Sequence, residues 1–227
     1  MNDETDYYKS KKSEYFAQFN GFCERVSVLI EEKYGEKFKK EIMAEIREKY
    51  ESIYEEMPYI GGDENSLTSD LIGAAENLAF YLVLKRHNKP LKEIGELAYK
   101  AQEKEFNDHP ELVPPMTNTE FIPYIKYATE VSREKRFPGD WVYEFVEGND
   151  EFDFGTYFTE CAIQKLYHKY DADEFTPYLC AMDILMSDCG NLGLHRTETL
   201  AEGGDRCDFQ YKAGRKTRIV STVIMVD

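Results

Sequence analysis

The chain has 227 residues, is 42% hydrophobic and 14% aromatic, and carries 44 Asp and Glu against 28 Lys and Arg, for a net charge of −16. That acid surplus excludes a general nucleic-acid binder and a protein that docks on anionic membranes, because both depend on Lys and Arg. The aromatic content argues for a packed core rather than disorder, the longest mostly apolar stretch, Leu78 to Leu84, is far shorter than the roughly 18 residues of a membrane span, and the polar start MNDETDYYKSKK has no apolar signal region.

Along the chain, Phe16, Phe19, Cys23, Val26 and Ile30 recur at spacings of three and four. They predict an amphipathic helix from about residue 6, broken at Gly35 from a second one that carries Phe38, Ile42, Ile46 and Ile53 and ends by residue 57. Pro58 and Gly61-Gly62 separate this pair from a third helix, 69–86, whose apolar, small centre (Leu71, Ile72, Ala74, Ala75, Leu78, Ala79) suits close packing. Pro90 opens a fourth helix to about residue 106, 107–115 is a loop, and 118–133 is a weaker helix or irregular connection. The pattern changes at Pro138-Gly139. WVYEFVE, 141–147, reads as a strand, with a return strand over 151–157 after a Gly-Asn-Asp turn. Helices follow at 159–170 and 174–189, then two strands, 194–200 and 206–212, joined through Gly203-Gly204; the strand-like tail 217–226 has no evident partner. The fold class is α+β: a helical region over 1–137, then an antiparallel hairpin–helix–helix–hairpin region over 138–227, packed as one unit.

The five cysteines, Cys23, Cys161, Cys180, Cys189 and Cys207, are odd in number and form no CxxC pair. They read as reduced thiols of a cytoplasmic protein. Four of them follow residue 160, and charge is skewed in the same direction. Residues 195–227 hold five acids and six bases, the one segment without an acidic excess, so a small anion is least repelled there.

Three places can carry chemistry. In the helix 174–189, Leu179, Met182, Leu185, Met186 and Cys189 form the core arc, while Cys180, Asp183 and Ser187 form a narrow stripe beside it. That stripe is either a nucleophile or acid–base pair at a pocket rim, or a buried thiol beside a solvated carboxylate. Cys161 begins a helix directly after a strand, where a helix N-terminus would lower its pKa; packing is the alternative. The segment LHRTETLAEGGDRCDF, 194–209, is dense in polar groups. Period-2 alternation puts His195, Thr197 and Thr199 on one face and Leu194, Arg196, Glu198 and Leu200 on the other, and separates Cys207 from Asp208. A buried carboxylate opposite an arginine across this hairpin would orient both, and an exposed, charged edge is the alternative. Cys23 reads as core, and His87, His109 and His168 read as structural or solvent-facing. Cys180, Cys189, His195 and Cys207 could supply zinc ligands in principle, but paired short spacings are absent and Cys180 and Cys189 fall on different helix faces, so no metal is expected. Walker A, GxGxxG, HExxH and GxSxG motifs are absent.

The run Cys161…Cys180-x-x-Asp183…Arg196-Thr197-x-Thr199-Leu200-Ala201-x-Gly203-Gly204-x-x-Cys207-Asp208-Phe209 resembles the L-2-amino-thiazoline-4-carboxylic acid hydrolase family, over roughly residues 140–212. The resemblance implies a cofactor-independent hydrolase acting on carbon–nitrogen bonds in small cyclic amidines, as in opening 2-amino-thiazoline-4-carboxylate to N-carbamoyl-cysteine. On that reading Cys161 or Cys180 supplies a thiolate, or Asp183 activates water. Asp183 or Asp208 pairs with the amidine, Arg196 takes the substrate carboxylate, and Thr197 and Thr199 donate to the tetrahedral centre. His195 lies beside these binding groups, and Gly203-Gly204 sets Cys207 and Asp208 opposite the 195–199 strand. The partner implied is a small anionic or zwitterionic substrate, with neither nucleic acid nor membrane, and the helical half either covers the pocket or mediates self-association into a homo-oligomer. The competing reading is a non-catalytic ligand-binding or sensory domain built on the same pocket.

Overall fold

The computed structural model describes residues 4–113 and 121–223. The parts of the predicted 107–115 loop, 118–133 helix and 217–226 strand that fall at 114–120 and 224–227 lie outside it. Helices α1 (Glu4–Tyr34) and α2 (Glu36–Glu55) pack with α3 (Thr68–Arg86) and α4 (Leu91–Asp108) into a bundle. The predicted apolar stripes are the ones that face inward: Phe19, Cys23, Val26 and Ile30 of α1 and Ile42, Ile46 and Ile53 of α2 are buried, and Phe19 stacks on Tyr50 with ring centroids 3.8 Å apart. Helix α3 is buried on every face, as its small apolar sequence requires. Among the described residues no helix is long and apolar enough to cross a membrane.

After α5 (Phe121–Arg133) come β1 (Val142–Glu147), β2 (Phe154–Glu160) and α6 (Ala162–Lys169). Then follow α7 (Thr176–Ala181), α8 (Asp183–Cys189), β3 (His195–Arg196), β4 (Cys207–Tyr211) and β5 (Arg218–Ile219). The sheet order is β1-β2-β4-β3-β5, and β1, β2, β4 and β3 pair antiparallel. The helical half followed by an interleaved sheet region is the α+β arrangement expected from sequence. One core joins the halves: α1–α4 contribute most of it, and Ala162, Leu166, Tyr167, Phe175 and Tyr178 complete it from beyond Pro138. The Tyr167 hydroxyl donates to the Ala74 carbonyl at 2.9 Å and so fastens α6 to α3.

The structure corrects four boundaries. The sheet is mixed, because β5, the partnerless tail strand, pairs parallel with β3. The return strand begins three residues later than predicted, because the Asn149 side chain accepts from the Glu151 N–H at 2.7 Å and lengthens the turn. The helix 174–189 is two helices after a 3-10 turn, interrupted at Met182. The second hairpin pairs only His195 with Gln210, because residues 197–199 leave the ladder for contacts with a carboxylate described below.

Gly95 on α4 marks the tightest contact between the halves. A Cβ there would sit 2.0 Å from Cδ1 of Tyr178, on the helix that carries Cys180. Gly95→Ala should therefore lower the unfolding free energy by about 1–3 kcal/mol through overpacking. Chemical denaturation checks this, and a wild-type midpoint would contradict the close approach.

Candidate active site

The sheet decides which side chains meet. In the β2–β4 register, Phe154 faces Tyr211, Thr156 faces Phe209 and Phe158 faces Cys207. Period-2 alternation therefore puts Cys207, Phe209 and Tyr211 on one face with Phe154, Thr156 and Phe158, and Asp208 and Gln210 on the other. Tyr143 stacks on Phe158 (4.6 Å) and Phe154 on Tyr211 (5.1 Å), so the first face is an aromatic floor.

Arg196 lies over that floor, its guanidinium 5.4 Å from the Phe209 ring centroid. It is fully buried. Its Nη1 donates to the Cys180 carbonyl at 3.0 Å and to Oδ2 of Asp183. The break at Met182 thus has a function in packing: it turns a carbonyl and a carboxylate from two successive helices toward one guanidinium. Nε and Nη2 of Arg196 are buried without a hydrogen-bond partner among the described residues. A buried guanidinium normally places all five N–H groups, and unsatisfied donors are costly.

Cys161, Cys180 and Cys207 surround this pair closely enough for their charges to act on one another. Cys161 precedes α6. Its expected low pKa is corrected by the structure: burial pushes the thiol up, with Asp183 adding to the effect. The nearby N–H groups of Ile163 and Gln164 and the Trp141 side chain oppose that rise without forming a capping hydrogen bond, whereas the Cys207 sulfur accepts from the Leu200 N–H at 3.3 Å. Burial lifts Cys180 well above the ordinary thiol value and Cys207 to about 12. Burial also raises Asp183, against the pull of Arg196. Cys161, Cys180 and Asp183 remain partly open to solvent, so the cluster reaches the surface.

The other expected residues build the frame. Asp208 faces away from this cluster and accepts from the Thr197 N–H (2.7 Å), the Glu198 N–H (2.8 Å) and the Thr197 hydroxyl. It does not pair with Arg196 across the hairpin, and it is buried together with Cys207 although the two lie on opposite faces. The Thr199 hydroxyl donates to Glu202 at 3.0 Å. Each threonine has one hydroxyl proton, so both are committed to carboxylates rather than free for a tetrahedral centre. His195 pairs with Gln210 and shares its outer face. Gly203 has φ +85°, the left-handed conformation that ends the turn Leu200–Glu202, and the Gly204 N–H donates to the Thr199 carbonyl at 2.9 Å.

Asp70 has no sequence signal beyond being an acid in a helix's first turn. Asp70 opens α3 and is reached by solvent, yet the surrounding protein pushes its carboxyl up to about 7, with Asp183 contributing. Its charge is also felt by Tyr143 on β1 and Tyr211 on β4. The zinc set considered from sequence is dispersed, because the Cys189 thiol faces the Phe106 and Pro110 carbonyls at the end of α4. Among the described residues no group of three or more His, Cys, Asp or Glu is arranged to hold a metal ion.

The family model for L-2-amino-thiazoline-4-carboxylic acid hydrolase matches residues 72–211, which include Cys161, Cys180, Asp183, Arg196 and Cys207. No curated protein and no solved structure matches the chain.

Because Asp208 holds three donors that have no other acceptor in the hairpin, Asp208→Ala should lower the unfolding free energy by roughly 1.5–3 kcal/mol. Urea denaturation of the variant reads this directly, and a loss under about 0.5 kcal/mol would contradict the framing role.

Proposed function

The chain belongs to the L-2-amino-thiazoline-4-carboxylic acid hydrolase family, and from that premise we propose that the cluster around Arg196 opens a carboxylate-bearing cyclic amidine by covalent attack from Cys161. As a member of the family the protein is a hydrolase acting on small cyclic amidines. The observation that carries the finer reading is the pair of unpartnered Arg196 donors, Nε and Nη2, over an aromatic floor and beside a carboxylate. Adjacent guanidinium N–H groups match the two oxygens of a carboxylate. The planar amidine part of a five-membered ring anchored there lies against the floor, with its amidine carbon toward the thiols.

Among the three thiols, Cys161 is the one whose sulfur lies near two backbone N–H groups and the Trp141 side chain. Those donors favour negative charge on sulfur at the moment of attack. Attack at the amidine carbon forms a bond to Sγ across the ring carbon–nitrogen double bond. The bond from that carbon to the ring sulfur then breaks, and the thiol proton of Cys161 ends on the released sulfur. Water adds to the same carbon, Cys161 departs with a proton from that water, and the carbon keeps the oxygen as a urea. For 2-amino-thiazoline-4-carboxylate the product is N-carbamoyl-cysteine, with one water consumed and no cofactor. Asp183 fixes the guanidinium, and in this mechanism its partly open side chain pairs with the amidinium.

Two variants test this on 2-amino-thiazoline-4-carboxylate. Cys161→Ser should reduce kcat at least about a thousandfold in folded protein, as loss of a nucleophile does. Arg196→Lys keeps the charge but not the fork, and should raise KM for the carboxylate substrate by about 10- to 100-fold while changing KM for 2-aminothiazoline less than about threefold. Wild-type turnover by C161S would leave water attack in place of the covalent route, and equal effects of R196K on both substrates would remove the carboxylate contact.

A further inference from the structure

A cleft elsewhere on the molecule takes no part in the chemistry proposed above. It opens between three segments: the turn 59–66 that leads into α3, one face of α5, and the stretch 136–143 that enters β1. About 750 Å³ of empty space lies within it, part of it open to solvent. Cys161, Cys180, Asp183, Arg196 and Cys207 are not among the residues that line it. Tyr143 belongs both to the cleft and to the aromatic floor, where it stacks on Phe158.

Hydrogen bonds fix the three segments to one another. Asn65 Nδ2 donates to the Ile60 carbonyl at 2.7 Å and to both oxygens of Asp140 at 3.0 Å, which ties the turn to the approach to β1. Ser132 Oγ on α5 accepts from the Tyr143 N–H at 3.2 Å, which ties α5 to β1. The cleft is therefore formed before any ligand enters it.

Its lining is aromatic. Tyr59 and Phe137 meet with ring centroids 5.1 Å apart and planes at 84°, so they make a corner rather than a flat wall. Tyr124 and Tyr127, three residues apart on α5, add a second side. Tyr127 is 64% exposed, the most exposed large hydrophobic side chain among the described residues. The charges along the cleft are unequal. Asp140 and Glu64 are acids, and the one cation, Arg136, has its Nε bonded to Glu134 at 2.6 Å. Lys165, which reaches the Asp140 carbonyl, is itself paired with Glu160 at 2.6 Å. The Asp140 carboxylate already accepts from Asn65 and, at 2.7 Å, from the Trp141 N–H. It contributes charge more than a vacant hydrogen-bonding position. Such a lining repels anions and best suits a cation that has no N–H groups to satisfy, drawn to aromatic faces by their negative charge.

We propose that this cleft binds a small organic cation of the methylated-ammonium class, held against Tyr59, Tyr127 and Phe137 within the field of Asp140 and Glu64. The site is separate from ring opening and stands or falls without the hydrolase reading.

Calorimetric titration of the full chain with choline tests it, with 3,3-dimethyl-1-butanol as the uncharged molecule of the same shape. Choline should bind with roughly millimolar affinity or tighter, and the alcohol at least about tenfold more weakly. Tyr127→Ala, at a side chain too exposed to govern folding, should weaken choline about 2- to 30-fold, the span of a cation–π contact from exposed to desolvated, and Tyr127→Phe should restore it. Glu64→Gln should weaken it about twofold or more at low salt. Equal affinity for the two molecules overturns the proposal. So does the absence of saturable choline binding up to about 20 mM, or wild-type affinity in both Y127A and E64Q. Cys161→Ser should bind choline as wild type does, and loss of binding there would put the ligand at the thiols and overturn the separate site.

Discussion

The buried pair of Arg196 and Asp183 is the constraint on which the rest of the C-terminal half depends. Removing both groups from water is expensive, and a buried ion pair is a poor device for stability alone. The chain nevertheless breaks a helix at Met182 to bring the Cys180 carbonyl and Asp183 to one nitrogen of that guanidinium. It also seats the guanidinium on Phe209. What remains is a cation with Nε and Nη2 unclaimed among the described residues, held by neighbours on several sides. On the proposed reading such a group is arranged before the substrate arrives, so binding need not spend freedom to organise it.

The frame behind the pair is equally specific. Asp208, on the opposite face of β4, draws in the backbone at Thr197 and Glu198 and pulls the chain out of the ladder immediately after Arg196. The two faces of one short strand therefore have separate tasks, with Cys207 toward the Arg196 cluster and Asp208 toward the loop. Thr199, Gly203 and Gly204 belong to the loop's geometry. This division explains why a run so dense in polar residues resolves into few that could meet a substrate.

Much of this was legible in the sequence, for local reasons. The 3.6-residue stripes of Phe19 to Ile30 and Ile42 to Ile53 became the core, and the alternation that separates Cys207 from Asp208 gave their faces correctly. The stripe pairing Cys180 with Asp183 picked out two residues that meet at Arg196. The helix break at Met182 was not legible, because neither Gly nor Pro marks it and its cause is an arginine in a later strand. Asp208 as a loop anchor was hidden because its partners are backbone N–H groups, which have no sequence code. Cys161 was placed at the right junction, but the sign of its pKa shift depends on enclosure by residues distant in sequence. Asp70 lies 113 positions before Asp183, and no periodicity relates them.

Helix α3 is buried on every face and also carries Asp70 at its exposed start. Each residue advances such a helix by about 100°, so its axial orientation is set wholly by the bundle around it. Phe22 packs on Phe80 of that helix, and the Tyr167 hydroxyl ties its Ala74 carbonyl to α6, so the helix is a rigid coupling between the two halves. A change of packing deep in the bundle would then reach α6, and the Cys161 that precedes it, as one rigid displacement.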